Sequence, residues 1–188
     1  PVKHGGHLQI GAESERGYEL GLNHFWRAQG DEHLGDLIRH QGHWSPGIYA
    51  RSYREGRIGE DRLDLFRTEV AGHGKGLSSY PHTWLMPDYW QVPTVSCGLG
   101  PIQAIYQAQF MQCLEARGLM PKTDSQSWCF PGDGESDEPE SLGAISLAGR
   151  EHPGNLIFAL HSHPPRPDGP VSVERTPRPE PEGAFAGP

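Results

Sequence analysis

Apolar residues recur along the chain at spacings that predict short strands alternating with helices. From Glu15 to Gln29, Tyr18, Leu22, Phe25 and Trp26 fall at helical intervals and predict an amphipathic helix. Asp36-Leu37-Ile38 predicts a short strand that feeds the loop Gln41-Gly42-His43. Ser45-Pro46 then reads as an N-cap followed by proline at the first helical position, and Leu63, Phe66 and Val70 mark another short helix after Gly59. The clearest local unit starts at Thr94: a Gly98-Leu99-Gly100 turn, then Pro101 and a helix carrying Ile102, Ile105, Tyr106, Phe110, Cys113 and Leu114 on one stripe that Gln109 interrupts. Trp128-Cys129-Phe130 predicts a strand, Gly132-Asp133-Gly134 a turn, and Pro139 opens a helix through Leu142, Ile145 and Ala148. Leu156 to Leu160 is an unbroken apolar run between Gly154 and His161, the pattern of a strand buried on both faces of a parallel sheet.

Strand, glycine turn, helix and buried strand make a βαβ unit, so the expected class is α/β. Sites in such folds lie at the carboxyl ends of the strands. Asp133 follows the first strand and His161 to His163 follow the second, which puts both on one rim. The pattern stops at Pro164. Prolines stand at 164, 165, 167, 170, 177, 179, 181 and 188 with few apolar residues between them, too few to offset the entropy of ordering. The expected organisation is one partial domain over 1–163 and a disordered proline-rich tail over 164–188.

Charge and cysteine usage narrow the function. The formal net charge of −8 argues against a nucleic-acid-binding module, which needs a basic stripe to displace phosphate counterions. No run of 18 apolar residues occurs, so no membrane-spanning helix is expected, and no basic-then-apolar leader opens the chain. A start at Pro1 reads as a piece of something longer. Cys97, Cys113 and Cys129 are odd in number and form no C-x-x-C pair, which suits a reducing cytoplasm.

In Gly132-Asp133-Gly134 the glycines let backbone approach a diphosphate and the carboxylate offers a hard oxygen to Mg²⁺. Asp-Gly is also among the commonest turn dipeptides. The other candidates have equally plain alternatives. His43 can cap a turn, His7 can be a solvated terminal histidine, and Tyr80 and His82 can be packing residues. Cys97 can be a small buried hydrophobe. The glycines at 98 and 100 can simply lead into a helix, although a helix N-terminus also attracts phosphate.

Gly132-Asp133-Gly134-Glu135, Asp137-Glu138-Pro139-Glu140-Ser141, Gly143-Ala144-Ile145 and Arg150-Glu151 together resemble the cofactor–metal motif of the homodimeric bacterial pyruvate dehydrogenases of the acetyl-transferring type. The likeness continues upstream through Gly5-Gly6-His7, Asn23-His24-Phe25, Gly35-Asp36-Leu37, Gln41-Gly42-His43 and Ser45-Pro46-Gly47. It runs on through Tyr49-Ala50-Arg51, Gly76 to His82, Leu85-Met86-Pro87, Thr94-Val95-Ser96 and Gly98 to Pro101, nearly without gaps from about Gly5 to Leu160. Transketolases share the Gly-Asp-Gly logic but not the Asp-Glu-Pro-Glu-Ser run.

The resemblance implies a thiamine-diphosphate-binding fold, a twisted parallel sheet with helices on both faces, whose cofactor lies between subunits of a homodimer. It implies oxidative decarboxylation of pyruvate, with acetyl transfer to the lipoyl group of dihydrolipoyl acetyltransferase. Carried over by position, His7 and His43 take substrate-side catalytic roles. Gln41, Tyr80, Val95, Cys97, Gly132, Gly134 and Glu135 take cofactor-binding roles. Asp133, His163 and the carbonyl of Pro165 take the Mg²⁺. Cys97 stands where the family usually has methionine.

The departures cluster late. His161-Ser162-His163 replaces an Asn-x-Asn whose second Asn ligates Mg²⁺, and imidazole suits Zn²⁺ better than Mg²⁺. Ile10 replaces a polar pocket residue, and Pro131 interrupts the strand before the motif. The glutamate that activates thiamine comes, in the family, from beyond this segment, so the isolated chain is expected not to turn over pyruvate. Two alternatives stay open: a non-catalytic remnant that pairs with a full-length homologue, and a metal-binding module built on His161 and His163.

Overall fold

The computed structural model describes residues 17–31, 33–68, 75–95 and 97–161. His7, Ile10, Val70, His163, Pro165 and the segment 164–188 lie outside them. The chain forms two compact units by alternation. Among the described residues, one unit takes 17–25, 40–68 and 75–95, and the other takes 26–31, 33–39 and 97–161.

The first unit begins with a helical turn at 17–20 that continues as a π-helical turn, Gly21–Phe25. Its main helix is α1, Ser45–Arg54, followed by the single turn α2, Glu60–Leu63. Ser45 does not cap α1. It is the first helical residue, after Trp44, and its Oγ donates to the carbonyl of Ser79 at 2.5 Å. Pro46 is therefore the second helical residue and not the first, still within the turn where a missing N–H costs nothing. Tyr49, Ile58, Leu77, Met86 and Trp90 form the core. Tyr49 anchors it: its hydroxyl donates to the Ser78 carbonyl at 2.9 Å and accepts from Trp90 Nε1 at 2.9 Å. Burial pushes that phenol up to about 12, so it stays protonated and able to donate.

The second unit holds the sheet. β1 (Leu37–Arg39), β2 (Ser127–Cys129) and β3 (Leu156–Phe158) lie in the order β1-β2-β3. Both pairs are parallel, with Leu37 beside Ser127 and Ser127 beside Leu156. Three helices accompany them: α3, Leu99–Ala116; α4, Asp133–Ser136; and α5, Pro139–Glu151. Ile105 packs with Ala144 and Ala148 of α5, and Leu156 and Phe158 of β3 close over that cluster. The α/β class and the parallel pairing agree with the sequence pattern.

Three local expectations need correction. The helix read over Glu15 to Gln29 stops at Phe25, and Trp26 packs instead in the second unit against Phe130 and Trp128, at ring separations of 5.4 and 6.4 Å. Its helical spacing joined residues with different destinations. On α3 the buried face is Gly100, Pro101, Ala104, Ile105, Ala108 and Met111, while Tyr106 and Phe110 stay exposed. Small residues let α3 approach its neighbours closely, which moves the contact line off the bulky stripe. β3 is only half-buried along its length, not enclosed on both faces. Among the described residues it has a strand neighbour on one side alone.

Candidate functional site

The candidate residues gather in two places, one in each unit. In the first, Gly42, His43 and Trp44 form a 3-10 turn immediately before α1. A Cβ on Gly42 would stand 2.9 Å from the Thr94 carbonyl oxygen and 3.0 Å from the Tyr80 ring. Only glycine lets this turn come so close to the Thr94 backbone and the Tyr80 ring. The Gln41 amide donates to Tyr18 Oη at 3.3 Å. Its side chain is 4% exposed, and Oε1 accepts no hydrogen bond. Thr94, 2% exposed, likewise has no partner for Oγ1. His43 is half-buried, its ring 6.1 Å from that of Trp44. His40 sits edge-on to Tyr18 at 4.8 Å, and burial pushes its imidazole down to about 3, so it is neutral near pH 7.

In the second place, pairing continues past the strand ends. The amide of Ala159 donates to the Cys129 carbonyl at 2.9 Å, that of His161 to Pro131 at 3.0 Å, and that of Asp133 to His161 at 3.1 Å. Pro131, two residues past the end of β2, does not break the alignment, because only its carbonyl is needed there. Gly132 thereby bridges to His161, and Asp133 and His161 share a rim as the pattern implied.

Asp133 is buried, and its Oδ1 accepts from the Gly134 amide at 2.7 Å. Ser136 Oγ closes the turn on the Gly132 carbonyl at 2.8 Å. Glu135 points back into the fold: its carboxylate accepts from the amides of Gly132 and Gly100, both at 3.4 Å. Cys97 is exposed at the entry to α3. Among the described residues no group of three or more His, Cys, Asp or Glu side chains is placed to hold a metal ion.

Two details of the site went unread in the sequence. Thr94 was passed over for its neighbour Val95, and nothing local marks a threonine whose hydroxyl will be buried. The inward turn of Glu135 was foreshadowed only by its place three residues after Gly132, a spacing that lets a glutamate reach back to the amide at a helix start.

Burial raises the Glu135 carboxyl above its ordinary value near 4.5, with the glycine amides at 132, 100 and 98 pulling it back. Burial, with Glu135 adding to it and Arg39 opposing, also raises the Cys129 thiol, which is therefore a poor nucleophile. Because the folded chain holds the Glu135 proton more tightly than the unfolded one, this group stabilises fully below its unfolded pKa. That contribution is lost as pH rises through the folded value. Glu135→Gln is expected to flatten the fall in urea midpoint as pH rises above the ordinary carboxylate range. An unchanged slope would place the titration elsewhere.

No family model matches the chain. Curated relatives do. It is 59% identical over 183 residues to the pyruvate dehydrogenase E1 component of Pseudomonas aeruginosa, covering 97% of the chain and 20% of that protein. The E1 component of Cupriavidus necator is 56% identical over 167 residues, 89% of the chain and 18% of the relative. That of Escherichia coli is 51% identical over 183 residues, 97% and 20% respectively. The chain thus spans about one fifth of the length of the curated relatives it matches. At such identity over almost all of its own length, the chain matches a fragment of that enzyme.

Proposed function

We propose that this chain is the diphosphate- and metal-side portion of a thiamine-diphosphate-dependent pyruvate dehydrogenase. Residues 1–163 form part of a transketolase-like cofactor-binding region, and the proline-rich 164–188 is too poor in apolar residues to build a core. What carries the reading is the parallel pair β2 and β3, joined at Gly132 and His161 with Asp133 next in line, inside a segment 59% identical to an E1 component.

The residues present fit the cofactor. Asp133 offers a carboxylate oxygen, the ligand type Mg²⁺ prefers, at the rim where strands end. The orphaned Gln41 Oε1 and Thr94 Oγ1 await a polar group. When bound, thiamine diphosphate supplies the carbon nucleophile that makes a 2-oxo acid lose CO₂. The chain's own residues bind and orient. Asp133 takes the metal, with His163 and the Pro165 carbonyl completing the set. Gly132 and Gly134 admit the diphosphate to close backbone approach. Glu135 holds that turn to the start of α3 through the two glycine amides. Gln41, Tyr80, Val95 and Cys97 line the cofactor, and His7 and His43 handle protons on the substrate side. In the whole enzyme the acetyl group passes to a lipoyl group of dihydrolipoyl acetyltransferase, in a cytoplasmic homodimer. The isolated segment binds without turnover.

Titration of the chain with thiamine diphosphate and Mg²⁺ tests this. Stability is expected to rise by about 1.4 kcal/mol per tenfold excess of ligand over its dissociation constant, and only with Mg²⁺ present. A folded chain whose melting temperature ignores the cofactor would refute the reading.

A further inference from the structure

We infer that the outer face of α3 is a docking surface for a second copy of this chain, packed helix to helix about a two-fold axis. The inference rests on the homodimer reading above and names a surface for it. α3 is apolar on two opposite sides. Gly100, Ala104, Ala108 and Met111 line the inner side and are buried. Opposite them stand Leu99, Tyr106, Phe110 and Cys113, all exposed, with Tyr106 at 55% and Phe110 at 58%. Spacings of seven, four and three residues keep these four side chains on one line along the helix, the repeat of a seam between paired helices.

Charge selects the occupant. The chain carries a net charge of −8, yet no residue from Leu99 to Leu114 is charged, and its polar side chains there are Gln103, Gln107, Gln109 and Gln112 beside the Tyr106 phenol. A helix face that stays in water ordinarily carries charge. In a two-fold contact each surface meets its own copy, so charges on it would face like charges. An uncharged face lets two acidic chains meet without that repulsion, and a glutamine amide, both donor and acceptor, can pair with another of its kind. The size also suffices. α3 has 18 residues and is therefore about 27 Å long. A groove between α3 and α5, lined by Gln109, Gln112, Cys113, Leu147 and Glu151, widens the surface beside the stripe. At about two helix diameters across it covers roughly 500 Å² per copy, so two copies bury roughly 1,000 Å², the low end of specific interfaces. The dimer that fits is weak and concentration-dependent.

Sedimentation of the whole chain over a range of concentrations tests this. The parent is expected to pass from monomer to dimer as concentration rises. Tyr106 lies in the middle of the stripe, close to its own symmetry mate whichever way the two helices run. Tyr106→Glu and Tyr106→Lys therefore each set like charges together, and each is expected to weaken self-association about tenfold or more. Mixed in equal amounts, the two variants are expected to restore the dimer, which neither a misfolded variant nor any other occupant of the face would produce. Trp84→Glu changes an apolar residue that is 90% exposed in the first unit, and it is expected to associate like the parent. A parent that dimerises while both Tyr106 variants do so equally well leaves the homodimer reading standing and overturns the inference. So does a mixture that stays monomeric. A parent that is monomeric at every concentration sinks the homodimer reading for this chain, and this inference with it.

Discussion

Gly98→Ala is expected to destabilise the chain by about 3 kcal/mol, the sum of left-handed backbone strain and overpacking. Gly98 has φ of 79°, a conformation that L side chains reach at a cost. A Cβ there would also lie 3.0 Å from Glu138 Cβ, 3.0 Å from Ser141 Oγ and 3.2 Å from Glu140 Cβ. Those neighbours belong to the first turn of α5 and the residue before it, so the clash falls on structure and not on a free side chain. Gly98 thus lets α3 start directly against α5, with Gly100 two residues on to meet the Glu135 carboxylate. Gly118 supplies the control. It has φ of 67° but nothing within 4 Å of its would-be Cβ, so Gly118→Ala should cost strain alone, about 1–2 kcal/mol. Urea unfolding of both variants checks the difference. Equal losses would show that α3 does not begin against α5.

The elements around this turn were the readable part of the sequence. Pro101 and Pro139 mark helix starts, Gly98 and Gly132 mark turns, and apolar runs at Trp128 and Leu156 mark strands, so α3, α5, β2 and β3 follow from local punctuation. Local patterns do not record which neighbour a side chain will find. Tyr106 and Phe110 read as core because they are large and correctly spaced, yet the α3 contacts run through Ala104 and Ala108. Trp26 completed a helical stripe whose helix had already ended. The interleaving of two units, with the chain leaving the first after Phe25 and returning at His40, depends on contacts between distant segments.

The site divides in the same way. The Gly132–Glu135 turn was legible because glycine, aspartate and a preceding strand each leave a local mark. Its rim partner His161 followed from the apolar run before it. The close contact at Gly42 was not legible in full. Gln41 came from family likeness, and Thr94 emerged only once the Thr94 carbonyl, the Tyr80 ring and Gly42 were seen in contact. Periodicity alone would have yielded a parallel α/β protein with a glycine-rich rim. The order of motifs from Gly5 to Leu160 supplied the resemblance.

Asp36→Ala is the other large loss expected, also about 3 kcal/mol, since it removes charge-assisted bonds to two backbone amides. The Asp36 side chain is only 1% exposed. It accepts from the Arg27 amide at 3.0 Å and from the Gln126 amide at 2.8 Å, with Arg27 Nη2 3.5 Å away. Gln126 immediately precedes β2, and Leu37 N in turn donates to the Gln126 carbonyl at 2.9 Å. The carboxylate therefore fixes the register in which Leu37 meets Ser127, and through it the alignment that carries β2 towards Gly132. Asp124 looks similar on paper, pairing with Arg27 and lying 3.0 Å from His33 Nε2, but it is 72% exposed. Solvent screens that pair, so Asp124→Ala should change stability little, and added salt should erase what change there is. The loss at Asp36 should persist in salt, because backbone amides and not distant charges provide it. Asp36→Asn should recover only part of it, since one of its two positions would turn an NH₂ group towards an amide N–H. Urea unfolding at low and high ionic strength separates the two acids. If Asp124→Ala costs as much as Asp36→Ala, the surface ion pair and not the buried carboxylate aligns β1 with β2.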